Sequence, residues 1–145
     1  MINKSLFSSA TDEWSTPQDL FDRINNIYQF DVDVCATPGN AKCPVFYTKE
    51  TDGLSQVWKG TCWMNPPYGR KIGDWVSKAY RSGCNGTTVV ALLPARTDTK
   101  WFHEFIYNRP GVTITFLKGR LKFGGGKYCA PFPSMLVLFN RKAEQ

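Results

Sequence analysis

The chain has 145 residues, 42% of them hydrophobic and 14% aromatic, and its 18 lysines and arginines outnumber its 12 acidic residues. This length accommodates one hydrophobic core and is too short for two ordinary domains, so we predict a single domain over 1–145 with loose ends at 1–10 and 141–145. The formal charge of +6 suits a polyanionic partner, although a basic surface that only keeps the protein soluble is the simpler alternative.

Two further features of the composition exclude whole classes of protein. No apolar run approaches the roughly 20 residues of a membrane helix, and the N-terminus lacks the apolar core of a signal peptide. The five cysteines are odd in number, scattered, and never form a Cys-x-x-Cys pair, which predicts neither a disulfide framework nor a zinc site. We therefore expect no membrane partner, no metal, and buried or half-buried thiols in a reducing cytosol.

The first half of the chain predicts one helix and several short strands. Ser15 or Thr16 is placed to cap the helix, and Pro17 stands in its first turn, where a missing N–H does no harm. Apolar residues recur along this helix at Leu20, Phe21, Ile24 and Ile27. Alternating or apolar runs predict strands at 30–36, 45–48 and 61–64.

The second half alternates helices and strands and ends in two strands. The apolar patterns predict helices over 72–81 and about 99–107, and strands over 87–93, 112–117 and 134–139. A basic, glycine-rich loop over 118–133 separates the last two strands. This order predicts an α/β fold with a mostly parallel sheet and a C-terminal antiparallel hairpin.

The most informative segment is Asn65-Pro66-Pro67-Tyr68, which follows the predicted strand 61–64. The side-chain oxygen of Asn65 and the carbonyl of Pro66 are hydrogen-bond acceptors for an amine whose lone pair is delocalised into an aromatic ring. Pro67 restricts Pro66 to an extended conformation, and Tyr68 offers a flat ring on which an extruded base can stack. The alternative is an ordinary Asn-Pro-Pro turn with a partly buried tyrosine.

This segment resembles the catalytic motif of Rossmann-like amino-methyltransferases. Other segments in the same order are similar to the phage-type DNA adenine methyltransferases: Trp14-Ser15-Thr16-Pro17, 30–37 (FDVDVCAT), 40–43 (NAKC), Asp52-Gly53-Leu54 and 116–125 (FLKGRLKFGG). The resemblance implies a compact Rossmann-like domain that uses S-adenosylmethionine to methylate the exocyclic amine of a flipped-out adenine in DNA. The catalytic residues it implies are Asn65, Pro66, Pro67 and Tyr68.

The resemblance also implies contacts with the cofactor. The implied residues are Thr16, Pro17, Asp33, Cys35, Ala36 and Asp52. Thr16 and Pro17 match the family element that touches the methionine moiety, and Asp52 stands where similar enzymes place an acidic group near the adenine of the cofactor. An ordinary Asp-Gly turn explains Asp52 equally well. The loop after the first strand departs from the usual pattern, because Gly39 stands alone where a glycine-rich turn is expected.

A basic loop is the candidate contact for DNA. It interleaves Lys118, Arg120, Lys122 and Lys127 with aromatic and glycine residues, a composition that suits phosphate contacts. By the resemblance, a residue in this loop covers the target base, and Phe123 is our candidate, with packing in the core as its alternative. The predicted substrate-binding residues are Tyr68, Arg70, Lys118, Arg120, Lys122 and Phe123.

Other functions stay open at this stage. A related enzyme could methylate RNA or a protein glutamine, and a domain of the same fold could bind DNA without catalysis. The amino-acid sequence does not indicate which DNA sequence would be recognised. For the oligomeric state, a monomer is slightly preferred. A phage or prophage gene would place the protein in the cytoplasm of a bacterial host.

Overall fold

A six-stranded mixed sheet in the order β2-β1-β3-β4-β8-β5 organises the fold. The computed structural model describes residues 14–123 and 128–141. The strands of this sheet are β1 (Val32–Asp33), β2 (Val45–Phe46), β3 (Thr61–Met64), β4 (Thr88–Pro94), β5 (Val112–Phe116) and β8 (Ser134–Phe139). The first four are parallel, and β8 runs antiparallel between β4 and β5. The predicted α/β fold with a mostly parallel sheet and a terminal antiparallel pair is confirmed.

Helices cover both faces of the sheet. They are α1 (Gln18–Tyr28), α2 (Ile72–Cys84) and α3 (Lys100–Phe105). Strand β4 is buried on both sides, since Val89, Ala91 and Leu93 pack in the cluster with α2 and α3, whereas Val90 and Leu92 pack in the cluster with α1. This explains why the segment reads as a continuous apolar run. Among the described residues, no helix is both long and apolar enough to span a membrane.

The start of α1 differs from the prediction. Pro17 occupies the N-cap position and the helix has no side-chain cap, so neither Ser15 nor Thr16 caps it. The Thr16 hydroxyl is instead bonded to the side chain of Asn65 on another element. Ile27 was expected on the apolar face but is 75% exposed, because the buried stripe of the helix ends at Ile24.

The predicted strands near the N-terminus are longer than the observed ones. Regular pairing is limited to Val32–Asp33 and Val45–Phe46, because the chain leaves β1 in a loop held by side-chain hydrogen bonds. In the opposite sense, α2 continues one turn beyond the predicted end, to Cys84. The other predicted elements agree with the structure to within one or two residues at each end.

The predicted loop 118–133 contains a small two-stranded hairpin that the sequence did not reveal. Its strands are β6 (Lys122–Phe123) and β7 (Tyr128–Cys129), and they form a separate sheet. Phe123 packs in the α1-side cluster with Leu92 and Ala130, which fixes the hairpin against the main sheet. Lys127 and the predicted loose residues 1–10 and 142–145 lie outside the described residues.

Candidate active site

The parallel strands β1, β3 and β4 end at one edge of the sheet, and Asn65 follows the last residue of β3 there. The residues just before it, Trp63 and Met64, are fully buried, each 0% exposed. Because these side chains pack on opposite faces of the sheet, the position at which the chain leaves the strand is rigidly defined. Ligands bind at this carboxyl edge in open α/β sheets.

Two acceptors from the segment before α1 hold the amide of Asn65. Its Nδ2 donates to the backbone carbonyl of Trp14 and to Thr16 Oγ1, the latter at 2.9 Å. The carbonyl of Trp14 can only accept a hydrogen bond, so the amide nitrogen has to face it. The opposite orientation of the amide would set two oxygen atoms against each other.

The other end of the same amide is left without a partner. Asn65 Oδ1 is buried and accepts no hydrogen bond from the described residues. A buried acceptor without a donor is costly, by about 1–3 kcal/mol, and such groups are uncommon in folded proteins. An oxygen held in this state is suited to accept a hydrogen bond from a ligand.

The residues after Asn65 differ in their exposure. Pro67 and Gly69 line a cavity next to Asn65, whereas Pro66 is buried and does not line it. Tyr68 is only 4% exposed, and its hydroxyl donates to the carbonyl of Leu92 at 2.9 Å. The ring is therefore buried in this structure, where it anchors the loop to β4, and the stacking of a base on Tyr68 stays a prediction.

The cavity beside Asn65 has a volume of about 520 Å³. It extends across the ends of β1 and β3 and is bordered by the start of α2. Of the predicted cofactor-binding residues, Thr16, Asp33, Cys35, Ala36 and Asp52 line it. Pro17, which occupies the N-cap position of α1, does not line the cavity.

Asp33 organises the loop that borders the cavity. Its Oδ1 accepts from the N–H of Cys35 at 3.2 Å and its Oδ2 from the N–H of Lys42 at 3.0 Å, while the residue is 2% exposed. Burial raises the pKa of Asp33 to about 6, against the lowering effect of these two hydrogen bonds and of the Lys42 charge. A carboxylate that joins both ends of a loop can define its path without a glycine-rich turn.

Asp52 belongs to a turn and to the cavity at the same time. It has a positive φ of 53° and caps the 3-10 turn Gly53–Ser55, accepting a hydrogen bond from the N–H of Leu54. The next residue has to be glycine, because a Cβ on Gly53 would overlap the carbonyl oxygen of Val34 and lie 3.0 Å from the Trp75 ring. The two interpretations of Asp52 are thus compatible.

The predicted DNA-binding residues do not gather at the cavity. Arg70 lines it, but Lys118, Arg120, Lys122 and Phe123 do not. The three basic side chains are exposed, and Arg120 also donates to the carbonyl of Ala130 at 3.4 Å. Phe123 is 2% exposed, so the prediction that its ring covers a base is not met in this structure, and the alternative of core packing describes it.

Three aromatic residues near the site were not identified from the sequence. Trp14 and Trp75 line the cavity, and Phe132 packs edge-on against Tyr68, with ring centroids 5.5 Å apart. Trp14 also meets Phe132 and Phe123 edge-on, at 5.4 and 5.2 Å. The proximity of Trp14 to Thr16 in the sequence was the one available signal, since the other two are brought there by tertiary packing.

The described residues also bear on metal binding and on the reactivity of the thiols. They contain no cluster of three or more metal-binding side chains. Burial raises the pKa of the Cys43 and Cys62 thiols to about 12, which makes them poor nucleophiles. The expected burial of the thiols is wrong for Cys84 and Cys129, which are exposed.

Comparison with known proteins shows the family of this chain. The family model for DNA N-6-adenine-methyltransferase (Dam) matches residues 4–142. The chain is 32% identical over 151 aligned residues to the DNA N-6-adenine-methyltransferase of Haemophilus phage HP1 (strain HP1c1), an alignment that covers 99% of this chain and 87% of that relative.

Two further relatives match shorter parts. The DNA N-6-adenine-methyltransferase of Escherichia phage T1 is 35% identical over 99 residues, covering 66% of this chain and 41% of the relative. The putative methyltransferase YfdM of Escherichia coli (strain K12) is 37% identical over 65 residues, covering 39% of this chain and 71% of the relative. With a family model that matches nearly the whole chain, this protein belongs to the DNA N-6-adenine-methyltransferase family.

Proposed function

We propose that this protein transfers a methyl group from S-adenosylmethionine to the exocyclic amine of adenine in DNA. The observation that carries the proposal is Asn65, which lines a cavity of about 520 Å³ and whose buried Oδ1 lacks a hydrogen-bond partner among the described residues. The family and the names of its phage members support DNA adenine as the substrate. The net charge of +6 favours a nucleic acid over a protein amide.

The cavity suits this cofactor in size and in chemistry. Its volume lies within the range of about 300–1,000 Å³ that is usual for small-molecule sites. The carboxylates of Asp33 and Asp52 suit a cationic ligand that also carries donor groups, and the rings of Tyr47 and Trp75 supply aromatic surface for a purine. We assign the predicted residues Thr16, Asp33, Cys35, Ala36 and Asp52 to the cofactor on this basis. A contact of Pro17 with the cofactor stays a prediction, which is supported only by the position of its neighbour Thr16 in the cavity wall.

The catalytic contribution of the protein is to orient the amine. When bound, S-adenosylmethionine would supply a methyl group activated by its sulfonium, and the amine nitrogen that takes this group in exchange for one proton would release the proton to water. Asn65 Oδ1 accepts a hydrogen bond from the amine, and the carbonyl of Pro66 is the proposed second acceptor. These two acceptors favour the lone pair of the nitrogen over its delocalisation into the ring and stabilise the positive charge that develops on it.

The loop geometry is set before the substrate arrives. Pro66 and Pro67 restrict the backbone, and the hydrogen bond from Tyr68 to Leu92 fixes the end of the loop to β4. Stacking of the target base on Tyr68 remains a proposal that requires the ring to leave its contact with Phe132. The adenine has to leave the duplex, because its amine is inaccessible inside it.

The exposed basic side chains are the proposed phosphate contacts. Arg70 lies at the cavity, and Lys118, Arg120 and Lys122 lie on or near the β6–β7 hairpin. Contacts of this kind position the protein on DNA without reading its sequence. Since the relatives named above come from phages and from Escherichia coli, we also propose the bacterial cytoplasm as the place of action. The slight preference for a monomer stays a prediction.

The test is transfer of labelled methyl groups from S-adenosylmethionine to unmethylated DNA, RNA and protein in parallel, followed by nucleoside analysis. We expect N6-methyladenine in DNA, lost in the Asn65→Ala variant while the variant keeps its fold by circular dichroism. Label in RNA or in protein glutamine would show that the substrate is different and that the methyl-transfer chemistry is as proposed. DNA binding without transfer to any of the three would contradict the proposal and favour a non-catalytic DNA-binding domain.

A further inference from the structure

We propose that Thr16 is a positioning residue, which orients the amide of Asn65 through its hydroxyl group. The inference rests on the proposed function and adds a role to the cofactor contact that the family resemblance implies for Thr16. Thr16 Oγ1 lies 2.9 Å from Asn65 Nδ2, and Thr16 is 5% exposed. A polar side chain buried to this degree needs a partner, and its described partner is Asn65.

The two ends of the Asn65 amide differ in their hydrogen bonding. Asn65 Nδ2 has two hydrogens, and the Trp14 carbonyl and Thr16 Oγ1 account for both. With the nitrogen held from two directions, the plane of the amide is defined as well as its orientation. Oδ1 is therefore held in a fixed position, buried and without a partner among the described residues.

The position of Thr16 is itself fixed by the fold. The residue directly precedes the N-cap of α1, and the buried side chains of Leu20 and Phe21 pack that helix into the core. Thr16 does not cap the helix, although its residue type suits that role. Its hydroxyl group is used instead to join α1 to Asn65 across 49 positions of sequence.

Thr16 belongs to the cavity as well as to this hydrogen bond. It lines the cavity together with Trp14 and Asn65. A hydroxyl group that accepts from Asn65 still has one hydrogen to donate, so a ligand acceptor in the cavity can bond to the same oxygen. A ligand that fixes the Thr16 side chain would also fix the amide of Asn65. Binding in the cavity would thereby affect Asn65 Oδ1, the proposed hydrogen-bond acceptor for the substrate amine.

The experiment compares Thr16→Val, which keeps the shape and removes the hydroxyl group, with Thr16→Ser, which restores it. We measure kcat, the KM for DNA and, by calorimetry, the Kd for S-adenosylmethionine. For Thr16→Val we expect kcat to fall about tenfold, the effect of one lost hydrogen bond to the catalytic amide. In Thr16→Ser we expect kcat to return to within about threefold of the native value, since the hydroxyl group is the feature that is proposed to matter.

A cofactor contact alone gives a different result. If Thr16→Val raises the Kd for S-adenosylmethionine and leaves kcat at saturation unchanged, Thr16 acts only on cofactor binding and the inference is wrong. The same conclusion follows if Thr16→Ser is as impaired as Thr16→Val. A melting temperature for each variant separates either result from loss of the fold.

A second measurement does not depend on activity. The side-chain NH2 signals of Asn65, assigned by their absence in Asn65→Ala, report on its hydrogen bonds in ¹⁵N-labelled protein. We expect these hydrogens to exchange slowly with water in the native protein and in Thr16→Ser, and faster in Thr16→Val. If native protein transfers no methyl group but shows this pattern, the proposed function fails and the positioning contact stands. Unchanged signals in Thr16→Val would contradict the positioning role.

Discussion

Thr16 and Asn65 are bonded to each other, with the hydroxyl oxygen of one 2.9 Å from the amide nitrogen of the other. One residue precedes the first helix and the second follows the third strand. The bond leaves the amide oxygen of Asn65 as a buried acceptor without a partner among the described residues. An oriented, unsatisfied acceptor is what an enzyme needs if it is to hold an aromatic amine ready for attack.

The first prediction concerns the nitrogen of the Asn65 amide. In Asn65→Asp, an oxygen replaces the nitrogen that faces the Trp14 carbonyl, so two acceptors oppose each other. We expect the free energy of unfolding to fall by about 1–3 kcal/mol and methyl transfer to fall at least tenfold. Urea unfolding and initial rates measure the two effects, with Asn65→Ala as the control that removes both ends of the amide. Native stability and rate in Asn65→Asp would show that the amide nitrogen has no part in the site.

A second prediction follows from the pKa of Asp33, which is raised from 3.8 to about 6 in the folded protein. Between these values the folded state binds the proton more tightly than the unfolded state does. The contribution of Asp33 to the free energy of unfolding therefore decreases as the pH rises from about 4 to about 6, by about 3 kcal/mol. Above pH 6 this contribution is constant.

Urea unfolding of the native protein and of Asp33→Asn between pH 4 and 7 tests this effect. The amide of the variant cannot titrate, so we expect the difference in unfolding free energy between the two proteins to change over that window by the amount given above. Because the amide can accept only one of the two backbone hydrogen bonds through its oxygen, we expect the variant to be less stable than the native protein at pH 4, and we expect this difference to shrink as the pH rises to 6. Parallel pH profiles for the two proteins would place the pKa of Asp33 near its ordinary value.

A third prediction concerns the turn beside the cavity. Gly53→Ala forces a Cβ into the Val34 carbonyl and against the Trp75 ring. We expect the variant to lose about 2–4 kcal/mol of stability and to bind S-adenosylmethionine more weakly, because the displaced turn carries Asp52. Thermal unfolding and calorimetry provide the measurements. Gly39→Ala is the matched control in a second loop of the cavity region, where the nearest atom lies 4.0 Å from the new Cβ.

A fourth prediction tests the basic hairpin. Lys118→Ala and Lys122→Ala should each weaken DNA binding, with the slope of log K against log salt concentration reduced by about one unit per lysine in contact. Lys59→Ala is the control, because Lys59 is exposed and precedes β3 at the opposite edge of the sheet from Asn65. If the salt slope changes equally in Lys59→Ala, the effect is one of general charge. If it changes in neither Lys118→Ala nor Lys122→Ala, these lysines do not contact DNA.

A fifth prediction uses the cysteines as reporters of packing. Cys84 and Cys129 are exposed, whereas Cys43 and Cys62 are buried with pKa values raised to about 12. We expect a thiol reagent at pH 8 to modify the first pair rapidly and the second pair only after unfolding, with Cys35 in between. Peptide mapping by mass spectrometry identifies each site. Rapid modification of Cys62 in the folded protein would be inconsistent with its buried place in β3.

The sequence by itself determined the features that depend on local chemistry. Apolar periodicity placed α2 and β4, and the two prolines marked the end of β3. Such patterns act over a few residues and depend little on the rest of the fold. The Asn-Pro-Pro-Tyr pattern also pointed to Asn65, and the family resemblance pointed to Asp33, Cys35, Ala36 and Asp52. These residues line the cavity, and their roles stay predictions. The order of elements was also enough for the sheet class.

Only the tertiary structure decided how distant segments meet. Thr16 suited a helix cap by its residue type, but the fold brings Asn65 within reach, and the hydroxyl bonds to the amide instead. Tyr68 and Phe123 were candidates for contact with a base, each with burial as its alternative. Both rings are buried, because Phe132 packs against Tyr68 and Trp14 packs against Phe123, and these partners lie far apart in sequence. Burial and hydrogen-bond choice depend on which surfaces pack together, and that information resides in no single segment.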